Sequence, residues 1–187
     1  RVCPAPCEAG CNRNTVDDFV GINAVEQFIG DTAFREQYRY EDAPVLSGKR
    51  VAIVGGGPAG LAGAFQLRRK GHASTIFEMQ DHLGGMFRYG IPAYRTPRDI
   101  LDREIERIIE LGDIQVRTGV RVGQQISIEE LEKNFDAILW SIGCQSGRDV
   151  PVEGWAGTPN CVSGVKFLEA FNTGRMQVSA NKVVCIG

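Results

Sequence analysis

Apolar and polar positions alternate in two different ways along the chain. In the first fifty residues a single helical period stands out. Ile22, Val25, Phe28 and Ile29 recur at helical spacing behind Gly21, predicting a short amphipathic helix over residues 21–29. A polar stretch follows to about residue 38, and residues 39–50, with Pro44 and Gly48, read as a linker. From residue 51 the pattern changes. Val51-Ala52-Ile53-Val54 is continuously apolar, as a strand buried on both faces would be. Glycines follow, then a helical stretch from Leu61 to about Lys70 that Gly71 stops. A second strand runs from Ala73 to Phe77 and ends at Glu78. Ile100, Leu101, Ile105, Ile108 and Ile109 mark one face of a helix from about Pro97 to Leu111.

Shorter elements complete the reading. Strands are expected near Ile114–Arg117 and Val120–Val122, and Ser127-x-x-Glu130 is a capping box that opens a short helix. Asp136–Ile142 reads as another buried strand, ending at Gly143. Residues 147–162 are loop, Val165–Phe171 a helix, and Lys182–Gly187 a strand with Cys185 as a small core residue. His72 and His82 stand alone and read as surface positions. Strands that alternate with helices predict an α/β fold around a parallel sheet, preceded by a short helical, cysteine-containing segment.

Length narrows this to one domain with a short appendage, since 187 residues are too few for two complete nucleotide-binding domains. The 21 basic and 23 acidic residues nearly balance, which removes the electrostatic case for nucleic acid or an anionic membrane. No apolar run reaches the ~20 residues that span a bilayer. Nothing near Arg1 resembles a secretory signal, so the expected compartment is the cytoplasm. Glycine is in excess, with 23 residues against roughly 7% in an average chain, and points to sharp turns or close backbone approach to a ligand. Three of the six cysteines, Cys3, Cys7 and Cys11, crowd the first eleven residues. Three thiolates so close can converge on a soft cation or an iron–sulfur cluster. Structural zinc favours paired Cys-x2-Cys knuckles and four ligands. The plain alternative is an unmodified loop.

The chemistry sits at Gly55-x-Gly57-x-x-Gly60. This dinucleotide signature follows a predicted strand and opens a predicted helix, which makes it specific. Gly55 permits the tight turn and Gly57 lets the backbone reach a pyrophosphate. Gly60 allows close helix–strand packing, and the helix N-terminus, with Pro58 and Ala59, holds phosphate charge. Glu78, 23 residues after Gly55, is placed to accept the hydroxyls of an adenosine ribose, and its charge disfavours a 2′-phosphate. Beyond it, Gly84 and Gly85 would let a loop lie flat against an extended cofactor, and Arg95 could neutralise a pyrophosphate or be a solvated loop residue.

The run from Val51 to Gly60, with Leu83-Gly84-Gly85 and Gly90-Ile91-Pro92, resembles the FAD domain of glutamate synthase small subunits. The same module occurs in the N-terminal half of dihydropyrimidine dehydrogenase and in related NAD(P)H-dependent oxidoreductases. The resemblance covers nearly the whole chain and implies a Rossmann-like FAD-binding domain over residues 51–181. Residues 1–38 would be the end of an iron–sulfur helical domain, 39–50 a linker, and 182–187 the start of the NAD(P)H-binding domain. It implies FAD contacts from Gly55 through Gly60, from Glu78, from Leu83 to Met86, from Arg95, and from backbone near Val122, with Gly143 beside the dinucleotide. It makes Cys3, Cys7, Cys11 and Glu26 candidate ligands of 4Fe-4S clusters, an incomplete set in this chain. Ser141-Ile142-Gly143-Cys144 departs from the more usual Ala-Ile-Gly-Ala. With Pro159-Asn160-Cys161-Val162 it resembles a branch that serves dissimilatory sulfite reductase.

The implied activity is electron transfer from NAD(P)H through FAD to iron–sulfur clusters and a partner. That partner would be a catalytic large subunit or another electron-accepting protein. The resemblance further implies an internal piece of a longer enzyme that lacks its own hydride-donor site. No acid–base dyad or nucleophile is evident, so no catalytic side chain is expected. The rivals are an NAD-binding dehydrogenase domain, because the glycine fingerprint serves both dinucleotides, and a non-catalytic interaction module that docks through the cysteine loop.

Overall fold

A computed structural model describes residues 1–148, 151–155, 158–179 and 181–186. The chain divides into two units, Arg1–Asp42 and Ala43–Gly187.

The first unit holds a four-residue helix α1 (Pro6–Ala9), a 3-10 turn over Asn12–Thr15, and helix α2 (Ile22–Arg35). α2 is longer than the expected 21–29. No proline lies between Ile22 and Arg35, and Phe34 is the one buried apolar residue of this unit. Just past its end, Gln37 at φ 55° closes the helix, its N–H donating to Phe34 O and Tyr38 N–H to Ala33 O. Val25, Phe28 and Ile29, the expected apolar face, are exposed.

The second unit is built on a four-stranded parallel sheet, β1 (Arg50–Val54), β2 (Ala73–Phe77), β3 (Ile114–Arg117) and β4 (Ala137–Trp140), in the order β3-β2-β1-β4. Its helices are α3 (Pro58–Arg69), α4 (Met86–Tyr89), α5 (Arg98–Ile109), α6 (Ile128–Asn134) and α7 (Gly164–Asn172). Alternation along β1 divides the core. Val51 and Ile53 pack with Leu61, Ala64, Leu101 and Ile105 of α3 and α5, while Ala52 and Val54 pack with Phe77 and Leu131 of α6. The α/β expectation therefore holds, with helices on both faces of the parallel sheet.

Several boundaries differ from expectation for identifiable reasons. α3 begins at Pro58 rather than Leu61, because proline fits the first helical position, where no N–H is needed. It ends as expected: Gly71, at φ 83°, donates to Arg68 O while His72 N–H donates to Leu67 O. Ser127 caps α6 by accepting from Glu130 N–H. Residues 44–47 lie against the C-terminal end of α3, with Arg68 donating to Pro44 O at 2.8 Å and Ser47 N–H to Gly71 O at 2.8 Å. His72, half-buried, bonds the Ser47 hydroxyl through Nδ1, and His82 is exposed.

Four expectations need correction. The strand expected over Asp136–Ile142 spans only Ala137–Trp140 and is an edge strand with Ala137 and Trp140 exposed, because its sole neighbour among the described residues is β1. Val120–Val122 forms no ladder, only an isolated bridge between Val122 and Ile126. Residues 182–186 carry no strand, since none of the four strands pairs with them, and Gly187 lies outside the described residues. Cys185 is accordingly exposed rather than a core residue.

Candidate functional site

At the carboxyl ends of β1, β2 and β4 the second unit opens into a cleft of about 560 Å³ with mostly apolar walls. Ligands of open α/β sheets bind at this edge. One wall is the β1–α3 turn. Gly55 sits at φ 105°, and a Cβ there would collide with Ser141 O. A Cβ on Gly60 would run into Gly55 O, so Gly60 lies beneath the turn rather than in the cleft. Gly57 differs from both. Its backbone is ordinary extended chain, and an added Cβ would meet nothing tighter than Gly85 Cα at 3.6 Å. The fold itself would accept a side chain at Gly57. What the glycine preserves is open space at the N-terminus of α3, where no side chain caps the first-turn N–H groups.

The second glycine loop is stitched to the first. Gly84 N–H donates to Gly56 O at 2.8 Å, and a Cβ on Gly85, at φ 49°, would lie 2.7 Å from Gly57 Cα. Leu83 is buried, with its side chain against Gly56. Arg98 holds the far side of this loop by donating to the carbonyls of Phe87, Thr96 and Ile91, and burial lowers its pKa. Arg88 ties Leu83 O to Asp102.

Glu78 closes the floor. Only 6% exposed, it has no cationic partner in hydrogen-bond range among the described residues. Its Oε2 accepts Gly56 N–H at 2.7 Å and its Oε1 accepts Gln80 N–H at 2.9 Å. Each carboxylate oxygen keeps a further lone pair for a ligand hydroxyl.

Of the residues singled out from sequence, Gly55, Gly57, Pro58, Ala59, Glu78, Gly85, Met86, Val122 and Gly143 line the cleft. Gly60, Leu83 and Gly84 support it from behind. Arg95 is exposed and outside the lining, its N–H closing a turn onto Pro92 O. Sequence reasoning gave no site role to Tyr89, Trp140 or Ser141, which also line the cleft, although it noted Ser141 as a departure from the usual run. Tyr89 is buried, its phenol bonded to the His82 backbone, and burial raises its pKa. The aromatic one turn beyond Gly84-Gly85 and the serine in the Ser-Ile-Gly run were the available signals.

The N-terminal donors behave differently. Cys3 and Cys7 are exposed, Cys11 is half-buried, and Glu26 is exposed on α2. Among the described residues no group of three or more Cys, His, Asp or Glu side chains comes together as a metal site. As placed, this donor set does not fit a 4Fe-4S cluster. The dinucleotide cleft does fit an FAD: it has open space at Gly57, uncapped helix N–H groups, a buried carboxylate with spare lone pairs, and apolar walls.

Comparison with known proteins agrees with this geometry. A family model described as an NAD(P)-binding Rossmann-like domain matches residues 53–102. The glutamate synthase [NADPH] small chain of Mycobacterium tuberculosis is 43% identical over 155 residues, 82% of this chain and 32% of that protein. The NADP(+)-dependent formate dehydrogenase subunit beta of Moorella thermoacetica is 36% identical across the whole chain and 29% of its own length. The NADPH-Fe(3+) oxidoreductase subunit beta of Geobacter sulfurreducens is 38% identical across the whole chain and 28% of its own length. The chain thus spans between 28% and 32% of the length of these three relatives. FprA of Mycobacterium tuberculosis, solved in complex with NADPH, shares the fold, with a TM-score of 0.62 at 24% identity over 66% of this chain and 29% of that one. Over the segment it spans, this chain is similar to the glutamate synthase small chains and the related β subunits, and its residues 53–102 match a Rossmann-like NAD(P)-binding domain.

Proposed function

We propose that the cleft binds FAD and that the chain is the flavin-binding part of an NAD(P)H-dependent oxidoreductase. The observation that carries this is the open space at the Gly57 Cβ position, at the start of α3, in a cleft that the Glu78 carboxylate also lines. Backbone N–H groups of α3 would receive the pyrophosphate. Glu78 would accept the adenosine ribose hydroxyls while its N–H contacts hold it in place, and its charge would repel a 2′-phosphate. Trp140, Tyr89 and Val122 would exclude water from the bound dinucleotide. When bound, the flavin supplies acceptance of a hydride and release of electrons one at a time.

Relatives named as small chains and β subunits support a partner protein as the destination of the electrons, either a large catalytic subunit or another acceptor. As placed, Cys3, Cys7, Cys11 and Glu26 do not converge on one site among the described residues. No helix among the described residues is long and apolar enough to cross a membrane; the cytoplasm remains the proposed compartment.

A second reading, NAD(P) in the same cleft, rests on the description of the matching family model. The absorbance spectrum of the purified protein separates the two. A band near ~450 nm that survives desalting is expected for FAD; colourless protein that releases a nicotinamide nucleotide on denaturation overturns the proposal.

A further inference from the structure

Ser141 directly follows β4, where the carboxyl edge of the sheet meets the glycine turn. Its N–H donates to Val54 O at 2.9 Å, and its hydroxyl lies 3.0 Å from Val54 O and 2.9 Å from Gly55 O. Val54 O already receives the Ser141 amide, whereas the hydroxyl is a side-chain donor to Gly55 O. Glycine at position 60 leaves room for this hydroxyl, since a Cβ there would sit 2.8 Å from Ser141 Oγ.

Gly55 C=O and Gly56 N–H belong to one peptide unit, and a peptide unit is planar. Its carbonyl end is held by Ser141 Oγ and its amide end by Glu78 Oε2 at 2.7 Å. Rotating the plane would break both bonds together. We infer that Ser141 is a positioning residue for the dinucleotide. By clamping the Gly55–Gly56 peptide against Glu78, its hydroxyl sets the orientation of the carboxylate that receives the ribose and of the turn that leads into Gly57. The inference rests on the reading of the cleft as a dinucleotide site. It adds a side chain from just beyond β4, 86 positions along the chain from Gly55, to a device otherwise made where β1, α3 and β2 meet.

The test is FAD titration of cofactor-free wild-type protein, Ser141→Ala, Ser141→Thr, Glu78→Gln and the Ser141→Ala/Glu78→Gln double variant, with amide exchange at Gly56 followed in parallel. Loss of one hydrogen bond predicts about five- to tenfold weaker binding for Ser141→Ala. Exchange at Gly56 should be faster, both should be restored in Ser141→Thr, and Ser141→Ala should have little further effect once Glu78 is Gln. Should Ser141→Ala unfold too readily to titrate, Ser141→Cys, nearly the same size with a weaker donor, replaces it under the same expectations. Wild-type affinity in Ser141→Ala, no rescue by Thr, or an undiminished Ser141→Ala loss in the Glu78→Gln background overturns the inference. Wild-type protein that binds no FAD overturns the underlying reading instead.

Discussion

The Glu78 carboxylate accepts the Gly56 amide at 2.7 Å, across 22 residues of sequence and at the point where β1 gives way to α3. A buried carboxylate without a cation is costly unless it is fully hydrogen-bonded. Here the bonds come from backbone N–H groups of Gly56 and Gln80, so the charge is built into the glycine turn itself.

Glu78→Gln is therefore expected to harm both stability and binding. Each N–H group bonds a different carboxylate oxygen, and glutamine keeps only one of the two, so its NH2 faces the other donor. Denaturant unfolding should show a loss of about 1–3 kcal/mol, with FAD affinity falling at least tenfold. Unchanged affinity would mean that Glu78 is purely structural.

Gly57→Ala and Gly60→Ala should separate binding from folding. The fold accepts a Cβ at Gly57 but not at Gly60, where it would collide with Gly55 O. Gly57→Ala should melt within a few degrees of wild type yet lose FAD, while Gly60→Ala should lower the melting temperature and lose FAD as a consequence. Thermal melts with and without FAD read both effects.

The first glycine loop was legible because its chemistry is local: a strand, three spaced glycines, Pro58 and an acid ending the next strand all lie within about thirty residues. Gly71 as a helix stop and Ser127 as a cap were legible for the same reason. What was not legible depends on distant partners. Helix α4 is four residues long and is fixed by the Gly84–Gly85 turn and by Asn172, whose side chain donates to Tyr89 O. The exposure of β4 and of residues 182–186 follows from how many strands pair, which an apolar run does not state. Ser141 carries no signal of its grip on Gly55 beyond being a hydroxyl where small apolar residues are usual.

Arg68 offers a stability test away from the cleft. It is 7% exposed, donates to Pro44 O and pairs with Asp113 at 3.0 Å. Arg68→Met should cost about 1.5–3 kcal/mol in unfolding free energy, as for a lost hydrogen bond to a charged group. FAD affinity should not change. Calorimetry and titration on the same preparation check both.

The Lys49–Asp136 pair gives a pH dependence with a definite sign. The hydrogen bond and charge of Lys49 lower the pKa of Asp136, and Asp136 in turn raises that of Lys49. The Asp136 contribution is present above its ordinary pKa of 3.8 and is lost as pH falls through its depressed native value. The Lys49 contribution is present below 10.5 and is lost as pH rises through its elevated native value. Both groups are exposed, so the effect is small and screened by salt. In low salt, Asp136→Asn should melt below wild type at pH 7, with the gap closing under strong acid.

Calorimetric titration of the cofactor-free protein with FAD, and separately with NADH and NADPH, addresses the cleft most directly. Saturation by one equivalent of FAD, abolished in Gly57→Ala while the variant stays folded, is the expected result. Tight binding of a nicotinamide nucleotide to this cleft, with no heat from FAD, would contradict it.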